Sequence, residues 1–194
     1  VSEVQRRQMT TVESKNVFNI AVRGTFDDCQ DLVKVAFADH DLRDELALSA
    51  VNSINWARVM GQTAYYFAAA VRLGASEDRF TFVVPTGNFG NVYAGYAARK
   101  MGLPIEKFVV ASNRNDILYR FFDHGDMSIT GVEASLSPSM DIQVSSNFER
   151  LMFDLLDRDG GAVAAAMAAF RSDGALPDAP RLSAAASALL QPAP

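Results

Sequence analysis

The run Val83-Val84-Pro85-Thr86-Gly87-Asn88-Phe89-Gly90-Asn91 has residue types and a spacing that could hold an anion. An apolar strand over Phe80 to Val84 empties into a glycine-containing turn, and the turn opens directly onto a helix starting near Asn91. Gly87 and Gly90 can take φ > 0 and let main chain approach a ligand with no Cβ in the way. Successive amide N–H groups then converge on an anion at the positive end of the helix. No lysine followed by Ser or Thr comes after Gly90, so the nucleoside-triphosphate loop is absent, and the two glycines miss the spacing of the dinucleotide fingerprint. What remains is a main-chain cradle with Asn side chains, suited to a small dianionic monoester such as a coenzyme phosphate.

The elements that must position this turn follow from hydrophobic periodicity. Glu3 to Met9 suit a helix, and Val17 to Val22 suit a short buried strand. Thr25 reads as an N-cap with Asp28 three residues on, opening a helix to about Asp39 with Phe26, Leu32, Val33, Ala36 and Phe37 toward a core. His40 to Leu48 suit a second short helix and loop. Ile54 to Leu73 form a long aromatic-rich helix stopped by Gly74. After strand Phe80 to Val84 and the cradle come a helix to Met101, ended by Gly102 and Pro104, and strand Phe108 to Ala111. Further helices are expected from Asn115-Asp116 through Phe122, over Phe148 to Leu156, and over Ala162 to Phe170, with Ile129 to Ser135 a strand or loop. Beyond Gly174 the chain is rich in Pro, Ala and Ser and carries little folding information. This alternation predicts an α/β fold, a parallel sheet covered by helices, with ligands at the carboxyl ends of the strands.

Composition narrows the class. With 194 residues, 49% hydrophobic and 21% charged, the chain can bury a sizeable core in one domain or in parts of two. Its net charge of -5 comes from interspersed acids and bases, which leaves no electrostatic footprint for nucleic acid or an anionic membrane. The apolar stretches are too short to span a bilayer. Cys29 alone excludes an internal disulfide framework and suits a reducing cytoplasm. Both ends read as cut, and Val1-Ser2-Glu3-Val4 lies in what looks like an amphipathic segment.

Several longer motifs then carry a resemblance. VRGTFDDCQDLVK (22–34), NSINWARVMGQTAYYF (52–67), VPTGNFGNVYAGYAARKMGLP (84–104), ASNRNDILYRFF (111–122) and SPSMDIQVSSNFERLMF (137–153) resemble the threonine synthase family, in that family's order and across most of residues 1–170. The resemblance implies a pyridoxal-phosphate-dependent lyase of the tryptophan-synthase-β-like fold, fold type II. The family converts O-phosphohomoserine and water to threonine and phosphate. By the same resemblance, Gly87, Asn88, Phe89, Gly90 and Asn91 bind the coenzyme phosphate, and Asn52, Ser53 and Arg58 bind the phosphate of the substrate. Residues 1–50 would be the end of a smaller lobe, and 51–194 part of a larger cofactor-binding lobe.

The chemistry of those types suits the roles. Arg58 offers a rigid fork of donors to phosphate oxygens, and Asn52 and Ser53 add neutral ones near a helix start. Read from the residues alone, Asn52 and Ser53 are helix caps and Arg58 is a solvated or salt-bridged side chain. Asp27 and Asp28 could be imagined as an acid pair or metal ligands, but capping explains them, and no metal is expected. His40 and His124 read as surface histidines, Cys29 as a small buried hydrophobe, and Trp56, Tyr65, Tyr66 and Phe67 as helix packing.

One departure from the family is an absence. Pyridoxal chemistry needs a lysine that forms a Schiff base with the coenzyme aldehyde. The lysines here are Lys15, Lys34, Lys100 and Lys107, and none lies in the family's motif. The catalytic lysine is therefore expected outside this chain, in a missing segment of a parent chain, with the isolated chain inactive. Three readings stay open: threonine synthase, another fold type II lyase or dehydratase, and a non-catalytic phosphate-binding remnant. The Asn52, Ser53 and Arg58 trio favours the first, because an enzyme without a substrate phosphate has no use for it.

Overall fold

A computed structural model describes residues 2–52, 54–74 and 79–193. Strands β1 (Phe80–Pro85), β2 (Ile105–Ala111) and β3 (Leu190–Ala193) form a parallel sheet in the order β1-β2-β3. β1 and β2 are rich in Phe, Val and Ile, the residues that fit a pleated, half-buried surface. Val84 pairs with Val110 and Pro85 with Ala111, while Ala111 also pairs with Ala193. The carboxyl ends of all the strands thus lie level, and the cradle turn leaves the sheet at that edge.

The crossover between β1 and β2 is α5 (Gly90–Lys100), and α4 (Trp56–Arg72) packs along it. Their shared core holds Val59, Tyr66, Ala70, Val92, Ala94, Ala98, Phe108 and Val110, all buried. Gly95 makes the close approach possible. A Cβ there would lie 2.5 Å from Phe108 Cε1 and 2.6 Å from Tyr66 Cζ.

A second cluster forms around α6 (Ile117–His124), α7 (Phe148–Leu155), α8 (Gly160–Asp173) and α9 (Ala179–Ala186). Phe89, Phe121, Phe122 and Phe148 meet there mostly edge to face, with ring centroids as close as 4.8 Å between Phe121 and Phe148. Ile129 to Ser135, expected as a strand or loop, is a loop, followed by a 3-10 turn at Pro138–Met140.

The carboxyl-terminal segment corrects the sequence reading. It holds α9 and β3, and it buries Leu182 and Leu190. Pro180 sits in the first turn of α9, where a missing N–H does no harm, and Pro192 lies in a strand at the sheet edge. Proline and alanine content conceals these elements because both residues are compatible with them.

The amino-terminal part is less buried. α1 (Glu3–Thr10) and α3 (His40–Glu45) bury no residue. α2 (Phe26–Ala38) begins with the expected capping box, Thr25 Oγ1 accepting from the Asp28 N–H and Asp28 Oδ2 accepting from the Thr25 N–H at 2.6 Å. Those hydrogen bonds hold the Asp28 carboxyl below its ordinary range. α2 buries Gln30, whereas Leu32 is 57% exposed and Val35 69%. Of the apolar stripe expected to face a core, Ala36 and Phe37 are half-buried, Leu32 and Val33 are exposed, and the side chain of Phe26 lies outside the described residues. The strand expected over Val17 to Val22 is also absent, and Phe18 is 81% exposed. A strand needs a partner for its main-chain groups, and none of the described residues supplies one here.

Candidate functional site

The cradle is built from its main chain upward. The Thr86 N–H donates to the Ala111 carbonyl at 3.0 Å, which carries the β1–β2 ladder one residue past the strand. Thr86 Oγ1 then accepts from the Phe89 N–H at 3.0 Å and closes the turn. The left-handed residue is not a glycine: Phe89 has φ +61°, directly before the first residue of α5. Such a conformation costs a non-glycine residue about 1 kcal/mol or more. It is held because the Phe89 ring is fully buried, 5.6 Å from Phe148 and 6.1 Å from Phe122. The first N–H groups of α5, which follow this residue directly, have no partner within the helix.

Gly87 serves close approach instead. A Cβ at this position would lie 2.9 Å from Met140 Cα and 3.1 Å from the Met140 carbonyl oxygen. The segment that presses on Gly87 is itself pinned by Asp141. Its Oδ1 accepts from Asn113 Nδ2 at 2.8 Å, Asn115 Nδ2 at 3.0 Å and Ser135 Oγ at 2.6 Å, and its Oδ2 accepts from the Ser135 N–H at 2.9 Å. Burial opposes the charge, and these donors outweigh it, so the Asp141 carboxyl is held below its ordinary range. Asn113 and Asn115 follow β2, which places this network at the same sheet edge as the cradle. Of the Asn115-Asp116 pair expected to open α6, Asp116 takes the N-cap position without a side-chain cap hydrogen bond, while Asn115 Nδ2 donates across to the Glu133 carbonyl at 2.8 Å.

The Asn88 side chain is tied to Ser146. Its Oδ1 accepts from the Ser146 N–H at 2.7 Å and from Ser146 Oγ at 2.6 Å, and its carbonyl accepts from the Asn147 N–H at 3.3 Å. Asn91 offers its carbonyl to the Tyr66 hydroxyl at 2.8 Å, tying α4 to the first turn of α5. Burial pushes the Tyr66 hydroxyl pKa well up, so it stays a donor.

Asn52 lies in the turn before α4 and Arg58 in its first turn. Asn55, not Asn52 or Ser53, caps this helix, accepting from the Ala57 N–H at 2.9 Å. Arg58 is therefore in the first turn, nearer the start than expected, and its Nη1 reaches back to the Val51 carbonyl at 2.9 Å. Asn52 Oδ1 accepts from the Ile54 N–H at 3.0 Å. Ser53 lies outside the described residues.

Arg150, which sequence reading passed over, connects the two regions. Its Nη2 donates to the Ile54 carbonyl at 2.9 Å and its Nε to Asn147 Oδ1 at 3.0 Å, and its guanidinium lies 5.4 Å from the Trp56 ring centre. No local pattern could reveal a bridge that spans so much sequence. A cleft of about 440 Å³ opens beside it, with Lys34, Ile54, Tyr93 and Ser146 among its walls. His40 and His124 are exposed, Cys29 is half-buried, and of the aromatic quartet Tyr66 is buried whereas Tyr65 is exposed. Among the described residues no group of His, Cys, Asp and Glu could hold a metal ion, and no helix is long and apolar enough to cross a membrane.

A strand, a glycine-containing turn and a helix N-terminus, set at the carboxyl edge of a parallel sheet, define an α/β domain with the kind of edge that can receive an anion. The family model described as "Pyridoxal-phosphate dependent enzyme" matches residues 2–189, and the chain belongs to that family. It is 57% identical over 176 residues to threonine synthase of Pseudomonas aeruginosa, covering 91% of this chain and 38% of that protein. With threonine synthase of Saccharomyces cerevisiae the identity is 51% over 158 residues, covering 80% of this chain and 31% of the relative. The fold matches the crystal structure of threonine synthase from Brucella melitensis with bound PLP at a TM-score of 0.84 and 48% identity, covering 100% of this chain and 42% of that one. The yeast threonine synthase structure matches at 0.79 and 42% identity, over 99% of this chain and 40% of that one. These likenesses establish the fold type II architecture, and the cofactor of the family is pyridoxal phosphate. The chain spans about a third of the length of the curated relatives it matches.

Proposed function

We propose that the protein carrying this chain is a threonine synthase, a pyridoxal-phosphate-dependent lyase that takes O-phosphohomoserine and water to threonine and phosphate. What supports this reading is that the cradle at Gly87 to Asn91 leaves the carboxyl edge of the sheet while a second polar turn, with Asn52 before α4 and Arg58 in its first turn, would serve a second phosphate. A pyridoxal enzyme acting on an unphosphorylated amino acid needs only the first.

The residues fit the phosphate end of the coenzyme. Gly87 keeps the approach free of a Cβ, the left-handed Phe89 directly precedes α5, and Gly90 and Asn91 begin a helix whose positive end favours a dianion. Asn88 contributes main chain, since its side chain is held by Ser146. When bound, pyridoxal phosphate supplies an electron sink for a carbanion next to the substrate amine. Asn52, Ser53 and Arg58 would orient the substrate by its phosphate, so that binding energy far from the reacting carbons positions them. No residue of this chain is assigned the proton transfers, which call for a lysine in the coenzyme's reach.

The proposal extends to organisation and setting. Residues 1–50 form the end of a smaller lobe and 51–194 part of the larger one, which accords with Gln30 being the single buried position described before Val51. The single cysteine and balanced charge suit a cytoplasmic enzyme of a small-molecule substrate. The test is to supply the complete polypeptide with O-phosphohomoserine and to measure threonine and free phosphate. Equimolar release of both is expected; release of phosphate without threonine, or of neither, overturns the reading.

A further inference from the structure

Arg150 occupies the first turn of α7, the positive end of that helix, where a cation is disfavoured by about 0.3–1 kcal/mol. Its Nε bonds locally to Oδ1 of Asn147, the N-cap residue of α7, while its Nη2 reaches out of the helix to the Ile54 carbonyl, with the guanidinium resting over Trp56. Asn147 is joined through its N–H to the Asn88 carbonyl of the cradle, and Ile54 through its N–H to Asn52 Oδ1. A continuous chain of hydrogen bonds therefore runs from the coenzyme turn to the substrate turn, with one side chain at its centre.

We propose that Arg150 is a positioning residue that sets the distance between the two phosphate sites, an inference that rests on reading the Asn52 and Arg58 turn as the substrate's anchor. The planar guanidinium offers divergent donors in a rigid frame, which an ammonium on a flexible stem cannot. The cradle does not depend on it alone, because Ser146 holds Asn88 and the aromatic cluster holds Phe89. Losing Arg150 should therefore release the substrate turn and leave the coenzyme in place.

The test compares the complete wild-type polypeptide with Arg150→Gln and Arg150→Lys, each loaded with pyridoxal phosphate. Hydrogen exchange at the Ile54 and Ala57 amides should quicken about tenfold in Arg150→Gln, while the amides of Gly90 to Val92 keep their wild-type rates. KM for O-phosphohomoserine should rise about tenfold, with the Kd for pyridoxal phosphate within about threefold of wild type. Unchanged exchange at Ile54 and Ala57, an unchanged KM, or a parallel rise in KM and Kd overturns the proposal. Should Arg150→Gln fail to fold, Arg150→Lys decides by the same comparison. A wild-type protein that ignores O-phosphohomoserine overturns the functional reading, and the exchange and Kd measurements still judge the bridge.

Discussion

The main chain of Met140 occupies the space into which a side chain on Gly87 would project, an added Cβ meeting Met140 Cα at 2.9 Å. A glycine at this position is thus required by the neighbour behind it, and the coenzyme turn is seated against a second loop. Gly87→Ala forces the two apart. Overpacking of this kind costs about 1–3 kcal/mol, and absorbance titration of the complete apoprotein should show Kd for pyridoxal phosphate raised about tenfold or more. Wild-type affinity in the variant would show that the Met140 contact is slack.

Asp141 keeps that second loop in place, and its depressed pKa gives the sign of a pH effect. A carboxyl titrating lower in the folded than in the unfolded state adds stability above its unfolded value and loses it as pH falls through the folded one. The loss therefore comes below the ordinary carboxyl value of 3.8. Asp141→Asn should lower stability in urea unfolding by about 1–3 kcal/mol at pH 7, from weakened charge-assisted hydrogen bonds. The gap from wild type should shrink in acid. A gap that is constant with pH would remove the carboxylate from this role.

Arg58→Ala separates substrate from coenzyme. KM for O-phosphohomoserine should rise at least about tenfold, in line with the loss of charge-assisted hydrogen bonds to phosphate. The coenzyme absorbance of the complete polypeptide should stay nearly intact. Equal loss of both would count against the role given to Arg58.

Gly95→Ala addresses the seam between α4 and α5. Helix propensity favours alanine by about 0.8–1 kcal/mol, but the new methyl meets the buried rings of Tyr66 and Phe108 at under 3 Å. Overpacking of about 1–3 kcal/mol should win. A thermal midpoint below wild type is the expected result, and a rise would mean that the rings yield freely.

Much of this was legible before any coordinates. The strand, turn and helix around Gly87 follow from a run of β-formers, two glycines and an amphipathic segment, and the Thr25 and Asp28 capping box is a local signal that local physics honours. Longer-range facts were not. The left-handed residue of the cradle is Phe89, which the aromatic cluster of α6 and α7 holds in place. Asn55 rather than Asn52 caps α4, one polar residue among neighbours of similar capping strength. The stretch Val17 to Val22 has the composition of a strand but no partner among the described residues, and β3 has a partner despite a composition that disguises it. Arg150 reads as one more surface charge until Ile54 and Asn147 are seen on either side of it.

The buried ring of Phe89 ties the architecture of the interior to the shape of the turn before α5. Trimming Phe122 or Phe148 would free that ring to rotate and let the backbone relax toward ordinary angles. On the reading proposed for the cradle, repacking of the oily interior and vitamin retention thereby become one linked property.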